Sequence, residues 1–420
     1  MQGTTDSLAM PATTSQDALT DVLRDGAQQL LAQAVEAEVA TWIESHQEIV
    51  DENGHRMIVR NGHMPSRTIV TGVGSVAVTQ PRVHDRRPEE AMGEDGQPVE
   101  RFCSKILPPY LRKTKGMEEL IPWLYLKGVS TGDFTEALQA LLGPQATGLS
   151  ATTITRLIAT WQADYDAWSK RSLEGKQYVY VWADGVHFNV RLEEDRQCIL
   201  VLMGATREGR KELIAAADGY RESEQSWRQL LLDCKQRGFT VDPKLATGDG
   251  ALGFWKALRQ VYPTTRTQRC WVHKTANVLD KMPKRIQPKA KEMLHEIWMA
   301  VSRADAESAF DAFIEMFEPK YPKAVECLKK DRDVLLTFYD FPAEHWIHIR
   351  TTNPIESTFA TVRLRHRKTK GSGSRKASLA MVFKLMESAS QSWRALNGST
   401  LIPDVIAGIQ FVDGVRRNAA

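Results

Sequence analysis

Residues 178–187, YVYVWADGVH, constrain the fold more tightly than any other stretch of the chain. Tyr178, Tyr180 and Trp182 alternate with Val179, Val181 and Ala183, and almost every one is aromatic or β-branched. That pattern predicts a strand buried on both faces. The strand ends on Asp184, and a carboxylate at such a tip is desolvated on one side and open on the other, where a metal or a reacting group is held.

Composition bounds what can serve that carboxylate. At 420 residues, with 42% hydrophobic and 25% charged residues, the chain has room for several domains with sizeable cores. Its five cysteines are scattered and odd in number, which argues against a disulfide framework and for a reducing compartment. The start carries no basic flank followed by an apolar run, and no later segment approaches a membrane span, so the expectation is a soluble cytoplasmic protein with no membrane partner. A net charge of +3 is too small to mark a nucleic-acid binder, so any such function must come from local clusters of Lys and Arg.

Residues 1–60 form an expected N-terminal helical region in which Leu23, Leu30, Leu31, Val35, Val39 and Trp42 fall near helical spacing. The stripe serves either packing within its own domain or a dimer contact. Residues 61–112 hold an expected β-hairpin, from two β-branched runs around Gly72 and Gly74, and a charged linker from Asp85 to Pro98. Residues 113–170 turn helical three times, ending at Gly128, ending at Gly143, and starting after a Ser150 cap. Three short helices with tight turns suggest a helix-turn-helix, with Thr152, Thr153 and Arg156 at the part of the third helix that reaches base edges. The alternative is a three-helix bundle that binds nothing.

Beyond Asp184 the β pattern continues, a helix follows from Ser223 to Arg237, and a strand from Pro243 to Thr247 runs into a second acid, Asp249, within TGDGALGFW. With strands at 187–192 and 198–206, the helix 252–261 and the strand 265–271, the order is β-β-β-α-β-α-β if the short run 213–217 completes the third strand's hairpin; that is the ribonuclease-H-like arrangement, in which the first and fourth strands are neighbours. Asp184 and Asp249 would then lie side by side. Two carboxylates forced together predict a divalent cation, and hard oxygen ligands favour Mg²⁺ or Mn²⁺. Alone, Asp249 could equally be the acid of an Asp-Gly turn.

A third acid, Glu356, opens the segment NPIESTFATVRLRHRKTKG. With Asn353 as N-cap and Pro354 first in the helix, Glu356 falls at the capping-box position, which is its plain structural explanation. The rest of the helix favours function. Ile355, Phe359 and Val362 form a buried stripe, while Glu356, Ala360, Arg363 and Arg367 form a second row that runs into Arg365, Lys368, Lys370, Arg375 and Lys376 with no acid among them. Such a row suits a metal site beside a phosphate backbone. The expected catalytic domain is thus 171–274 and 341–376, interrupted by an α-helical insertion at 275–340 and followed by a C-terminal helix and tail at 377–420. Cys270 and His273, in RCWVHK, make a zinc half-site with no second pair to complete it.

The strand ending in ADGVH, the GDGALGF segment, the C-x-x-H pair and the NPIES helix start together resemble the Mutator-type transposases of bacterial insertion sequences, members of the D-D-E superfamily, over roughly residues 20–395. Ala251, after the Asp-Gly, is smaller than the residue many members carry. The resemblance implies an α/β ribonuclease-H-like catalytic domain with an inserted all-α domain, preceded by a helix-turn-helix region that binds the element's terminal inverted repeats. It implies Asp184, Asp249 and Glu356 as the catalytic, metal-holding triad, two Mg²⁺ or Mn²⁺ ions per site, and Cys270 and His273 as the family's C-x-x-H pair, structural or DNA-positioning. The expected partners are double-stranded DNA, both terminal repeats and target, and further copies of the chain in a homodimer or higher oligomer. The expected reaction is cleavage at the element end and joining of the 3′-hydroxyl to target DNA. Two rivals are a domesticated, non-catalytic DNA-binding regulator, which the intact acids disfavour, and a structure-selective nuclease of the same sheet fold, which the helical insertion disfavours.

Overall fold

The structure, a computed structural model, describes residues 18–92, 96–129, 133–142, 151–190, 196–219, 221–250, 252–369 and 374–417. Two compact units divide the chain, residues 1–154 and 155–420.

In the first unit a long helix, α1 (Ala18–Ser45), precedes four short strands, β1 (Ile58–His63), β2 (Arg67–Thr71), β3 (Gly74–Val78) and β4 (Pro81–Asp85). β2 and β3 form the expected hairpin, and β4 returns to pair with β1. Val35 and Val39 of α1 are buried with Ile69, Val76, Val78 and Leu107. Leu23 and Leu30, from the same sequence stripe, are 51% and 67% exposed, because this small core meets the helix only from Leu31 onward. After β4 the Arg87 guanidinium grips the Asp85 carboxylate at 2.7 Å and holds it below the usual carboxylate range. Helices α2 (Lys115–Lys127), capped by Gly128, and α3 (Phe134–Leu142) share Met117, Phe134, Leu138 and Leu142 as their core. Helix α4 (Ala151–Ser169) starts at the boundary and continues into the second unit; Gly143 and its expected cap Ser150 lie outside the described residues.

The second unit is built on five strands, β5 (Tyr178–Phe188), β6 (Gln197–Thr206), β7 (Lys211–Gly219), β8 (Leu245–Gly248) and β9 (Arg266–Arg269), with α5 (Glu224–Gln236) and α6 (Leu252–Val261) between the later ones. Their spatial order is β7-β6-β5-β8-β9. β6 runs antiparallel to β5 and β7, while β5, β8 and β9 are parallel. The first and fourth strands of this sheet are therefore neighbours, as the order of elements predicts. Two strands expected at 178–183 and from 187 are a single one, because β6 stays paired with β5 as far as Phe188↔Gln197, and the run 213–217, expected to complete a hairpin of the third strand, belongs to a strand of its own, β7, paired along β6. On one face Val181, Leu200 and Leu202 pack with Trp227, Leu231, Phe254 and Leu258 of α5 and α6. Burying each of those leucines contributes about 2 kcal/mol, and a one-residue slip of β6 would turn Leu200 and Leu202 to the other face of the sheet. On the other face the Tyr180 hydroxyl meets His345 Nδ1 at 2.8 Å and Trp182 Nε1 donates to the His348 carbonyl at 2.9 Å.

After β9 lie α7 (Trp271–Leu279), α8 (Gln287–Met299), α9 (Arg303–Phe317), α10 (Pro322–Lys329), α11 (Arg332–Leu335) and α12 (Trp346–Ile349). Then come α13 (Asn353–Thr369), which packs on β5, α14 (Arg375–Ser390), which packs on β7, α15 (Ile402–Ala407) and a small hairpin of β10 (Phe411–Val412) and β11 (Val415–Arg416). Among the described residues no helix is long and apolar enough to cross a membrane.

Candidate active site

The last rung between β5 and β8 is Ala183↔Gly248, so Asp184 and Asp249 follow it at one level on adjacent parallel strands. β5 continues past Asp184 with β6 alone, and the acid marks where the parallel neighbour stops rather than where the strand ends. Asp184 is 7% exposed, and its Oδ1 accepts the Gly185 N–H at 2.8 Å. Burial pushes its carboxyl up to about 7; the charges of Asp249 and Glu222 add to the rise and that of His273 opposes it. The Asp249 backbone is pinned from behind, its carbonyl accepting from Trp255 Nε1 at 2.8 Å and from the Arg269 guanidinium, which lies 4.9 Å over the Trp255 ring.

The end of β9 supplies the third side. Cys270 caps α7, and its N–H donates to the Gly248 carbonyl at 2.8 Å, while the Trp271 N–H donates to the Arg350 carbonyl at 3.1 Å. These bonds tie the start of α7 both to the tip of β8 and to the chain entering α13. The Thr352 N–H donates to Cys270 Sγ at 3.2 Å, and the Thr352 hydroxyl donates to Glu356 Oε1 at 2.8 Å. His273 Nε2 stands 3.5 Å from the same Glu356 oxygen. Hydrogen bonding with the Cys270 sulfur, and then the charges of Cys270, Asp184 and Glu356, raise the His273 imidazole to about 9 against the opposing effect of burial, so it is cationic at neutral pH. The donor atoms of Cys270, His273 and Glu356 lie within 4.8 Å of one another, a spacing that could hold a metal ion.

Helix α13 begins one residue earlier than its sequence suggests. The Thr352 carbonyl accepts the Ile355 and Glu356 N–H groups at 2.9 and 3.0 Å, so Thr352 and not Asn353 is the cap, and Glu356 lies one position beyond the capping-box site. Its carboxylate is occupied by Thr352 and His273, residues of the site itself.

A fourth carboxylate, Glu222, has no counterpart among the residues expected from the sequence. It sits between β7 and α5, with Oε1 3.2 Å from His187 Nε2, and burial and the Asp249 charge raise its carboxyl. The only local signal in RESEQSW is the helix cap Ser223, which says nothing of the residue before it.

The basic residues divide. Arg363 and Arg367 are exposed on α13, with the Arg363 guanidinium 5.7 Å over the Phe359 ring, and Lys376 is exposed on α14. Arg365 is 2% exposed, which corrects its assignment to a DNA-facing row: it falls on the buried side of α13 with Phe359 and Val362. Arg375 begins α14, behind the Ser374 cap, and it grips Asp218 at 2.7 and 2.8 Å. On α4, Arg156 is exposed and Thr153 half-buried. The side chains of Thr152 and Lys368, and all of Lys370, Gly371–Gly373 and Ala251, lie outside the described residues.

The parallel strand ends of the sheet thus gather Asp184 and Asp249 at one level, and the sequence comparisons define the class of protein that carries them, the transposases of insertion sequences. The chain belongs to the Mutator family of transposases, whose profile, described as Transposase, Mutator family, matches residues 1–395. It is 55% identical over 298 residues to the transposase for insertion sequence element IS6120 of Mycolicibacterium smegmatis, a match covering 71% of this chain and 92% of that one. To the transposase for insertion sequence element IST2 of Acidithiobacillus ferrooxidans it is 49% identical over 290 residues, covering 67% and 96%. The Drosophila P element transposase strand transfer complex is similar over 70% of this chain and 85% of that one, at 10% identity and a TM-score of 0.27, too slight a likeness to bear on the fold.

Proposed function

We propose that the protein is a D-D-E transposase that binds the terminal inverted repeats of its element as a homodimer or higher oligomer, cuts a strand at the element end and joins the 3′-hydroxyl to target DNA. In this reading 171–274 and 341–376 form a ribonuclease-H-like catalytic domain, 275–340 an α-helical insertion, and 113–170 a helix-turn-helix DNA-binding domain. The observation that carries it is the parallel β5–β8 pairing that sets Asp184 beside Asp249, with His273 in electrostatic reach of both Asp184 and Glu356.

The donor set fits a divalent metal. The oxygens are hard, and burial and mutual repulsion make the cluster unfavourable until a cation enters. Asp184, Asp249 and Glu356 would hold the Mg²⁺ or Mn²⁺. When bound, such metal would stabilise the attacking and leaving oxygens of an in-line displacement. The protein's own groups do the positioning. The Thr352 hydroxyl and the His273 imidazolium hold the Glu356 carboxylate in one orientation, the Trp255 indole fixes the backbone of Asp249, and the exposed Arg363 and Arg367 lead phosphates away from the cleavage point. Water is the nucleophile of cleavage and the freed 3′-hydroxyl that of joining, in the same site.

Asp184→Asn, Asp249→Asn and Glu356→Gln are each expected to abolish cleavage and strand transfer of end-bearing DNA while end binding stays within about two-fold, since a metal ligand contributes to the reaction and not to repeat recognition. Near-normal cleavage by Glu356→Gln would return that residue to a helix-start role.

A further inference from the structure

Glu222 touches the carriers of both aspartates. A Cβ at Gly185, the residue after Asp184, would stand 2.5 Å from Glu222 Oε1 and 2.6 Å from its Cδ, so the carboxylate lies flat on the β5 backbone. A Cβ at Gly253, in the first turn of α6, would stand 2.7 Å from the Glu224 nitrogen, 2.8 Å from the Ser223 carbonyl carbon and closer still to the Glu222 carbonyl oxygen. Segment 222–224 is thus wedged between the strand that carries Asp184 and the helix that follows Asp249. Two residues further along α6, Trp255 closes the loop by donating to the Asp249 carbonyl at 2.8 Å. The wedge is held at its other end by Ser223, whose hydroxyl accepts the Ser226 N–H at 3.2 Å, and at its tip by His187, on the same face of β5 as Gly185, at 3.2 Å.

We propose that Glu222 is a positioning residue of the acidic site, a wedge that sets Asp184 against Asp249 and contributes a fixed negative charge that favours divalent cations. The inference rests on the three-acid reading above. It also accounts for glycine at two positions, since a side chain at residue 253 would run into the backbone of 222–224 and one at residue 185 would push the Glu222 carboxylate aside. Substituting the charge and substituting the reach then have different consequences. Glu222→Gln keeps shape and contacts but removes the charge. Glu222→Asp keeps the charge but, one methylene shorter, cannot both span Gly185 and meet His187.

The test uses the full chain without DNA, titrated with Mn²⁺ by calorimetry or electron paramagnetic resonance, with Asp184→Asn beside it, followed by cleavage rates at saturating Mn²⁺ and melting temperatures. Glu222→Gln is expected to weaken Mn²⁺ binding roughly ten-fold, the size of effect one unit charge exerts on a divalent ion across a solvent-touched site, with an unchanged melting temperature. Glu222→Asp is expected to bind Mn²⁺ within about three-fold of wild type yet to cleave roughly ten-fold more slowly at saturation, because a misplaced carrier costs rate. Wild-type Mn²⁺ affinity in Glu222→Gln with affinity lost in Asp184→Asn overturns the role of Glu222 and leaves the three acids standing; wild-type affinity in both overturns both. A lowered melting temperature in Glu222→Gln and Glu222→Asp, with affinity and saturating rate unchanged, makes Glu222 a folding element only and also overturns the proposal.

Discussion

Thr352 shows how a single residue can take over a helix cap and hold the acid that the sequence assigns to that cap. NPIES reads as a helix start with a capping-box glutamate, yet the Thr352 carbonyl takes the first helical hydrogen bonds and its hydroxyl turns to Glu356 Oε1 at 2.8 Å. The acid was legible from its place in the sequence; its partners were not, because Cys270 and His273 reach it only through the tertiary fold. Thr352→Val keeps the shape of the residue and removes the hydroxyl, and it is expected to lower cleavage roughly 10- to 100-fold, the usual cost of losing a group that orients a metal-binding carboxylate, with end binding unchanged in a mobility-shift titration. The histidines behind the sheet give a second residue-scale expectation. Burial, helped by the Lys211 charge, presses His348 from 6.5 down to about 4, and burial also lowers His345. A depressed folded value means that these neutral histidines contribute stability above pH 6.5, and that the contribution is lost as pH falls through about 4. Melting temperature should fall across that window, and His348→Gln, which keeps an acceptor for the Asn397 N–H, should flatten the fall.

At the scale of elements, helix periodicity separates the two sides of α13 well and the individual cations poorly. Ile355, Phe359 and Val362 are all buried as their spacing predicts, and Arg363 and Arg367 are exposed on the opposite row. Arg365 escaped the pattern because a run of basic residues looks uniform in sequence, while the helix turns each by a different angle and carries this one to the buried side. Arg363→Ala/Arg367→Ala is expected to weaken binding of cognate and random duplexes alike and to lower the slope of log K against log salt by about 0.9 for each phosphate left without its arginine. Arg365→Ala should leave that slope alone and instead lower the melting temperature, since it empties a buried side-chain volume on the packed side of α13. The strands tell a similar story. The alternation of Tyr178 to Ala183 and the order of the later elements were enough to set β5 beside β8, but the length of β5 depended on β6, whose ten fully buried residues carry no mark of where their partner ends.

For the molecule as a whole, the proposed division of labour assigns sequence choice to the amino-terminal helices and phosphoryl transfer to the sheet. The helices were legible individually: α2 and α3 follow their apolar spacing and share one core, and α4 starts where the sequence puts a third helix. What sequence spacing could not supply is where the compact units part, because α4 is continuous through the division at residue 154. A fragment cut there would sever that helix, so the division of labour is best tested in the intact chain. Arg156 is exposed and Thr153 half-buried on the first turns of α4, the part of a recognition helix that meets base edges, and a good base contact is worth about 1–3 kcal/mol of discrimination. Arg156→Ala is therefore expected to bring the affinity for terminal-repeat DNA roughly ten-fold or more closer to that for a scrambled duplex, while the affinity for the scrambled duplex changes little and cleavage of DNA already bound proceeds at its normal rate. Competition titrations with cognate and scrambled duplexes, paired with single-turnover cleavage of preformed complexes, measure both halves. An equal drop in affinity for the two duplexes would make Arg156 one more phosphate-binding residue, and end recognition would then have to be sought elsewhere in the chain.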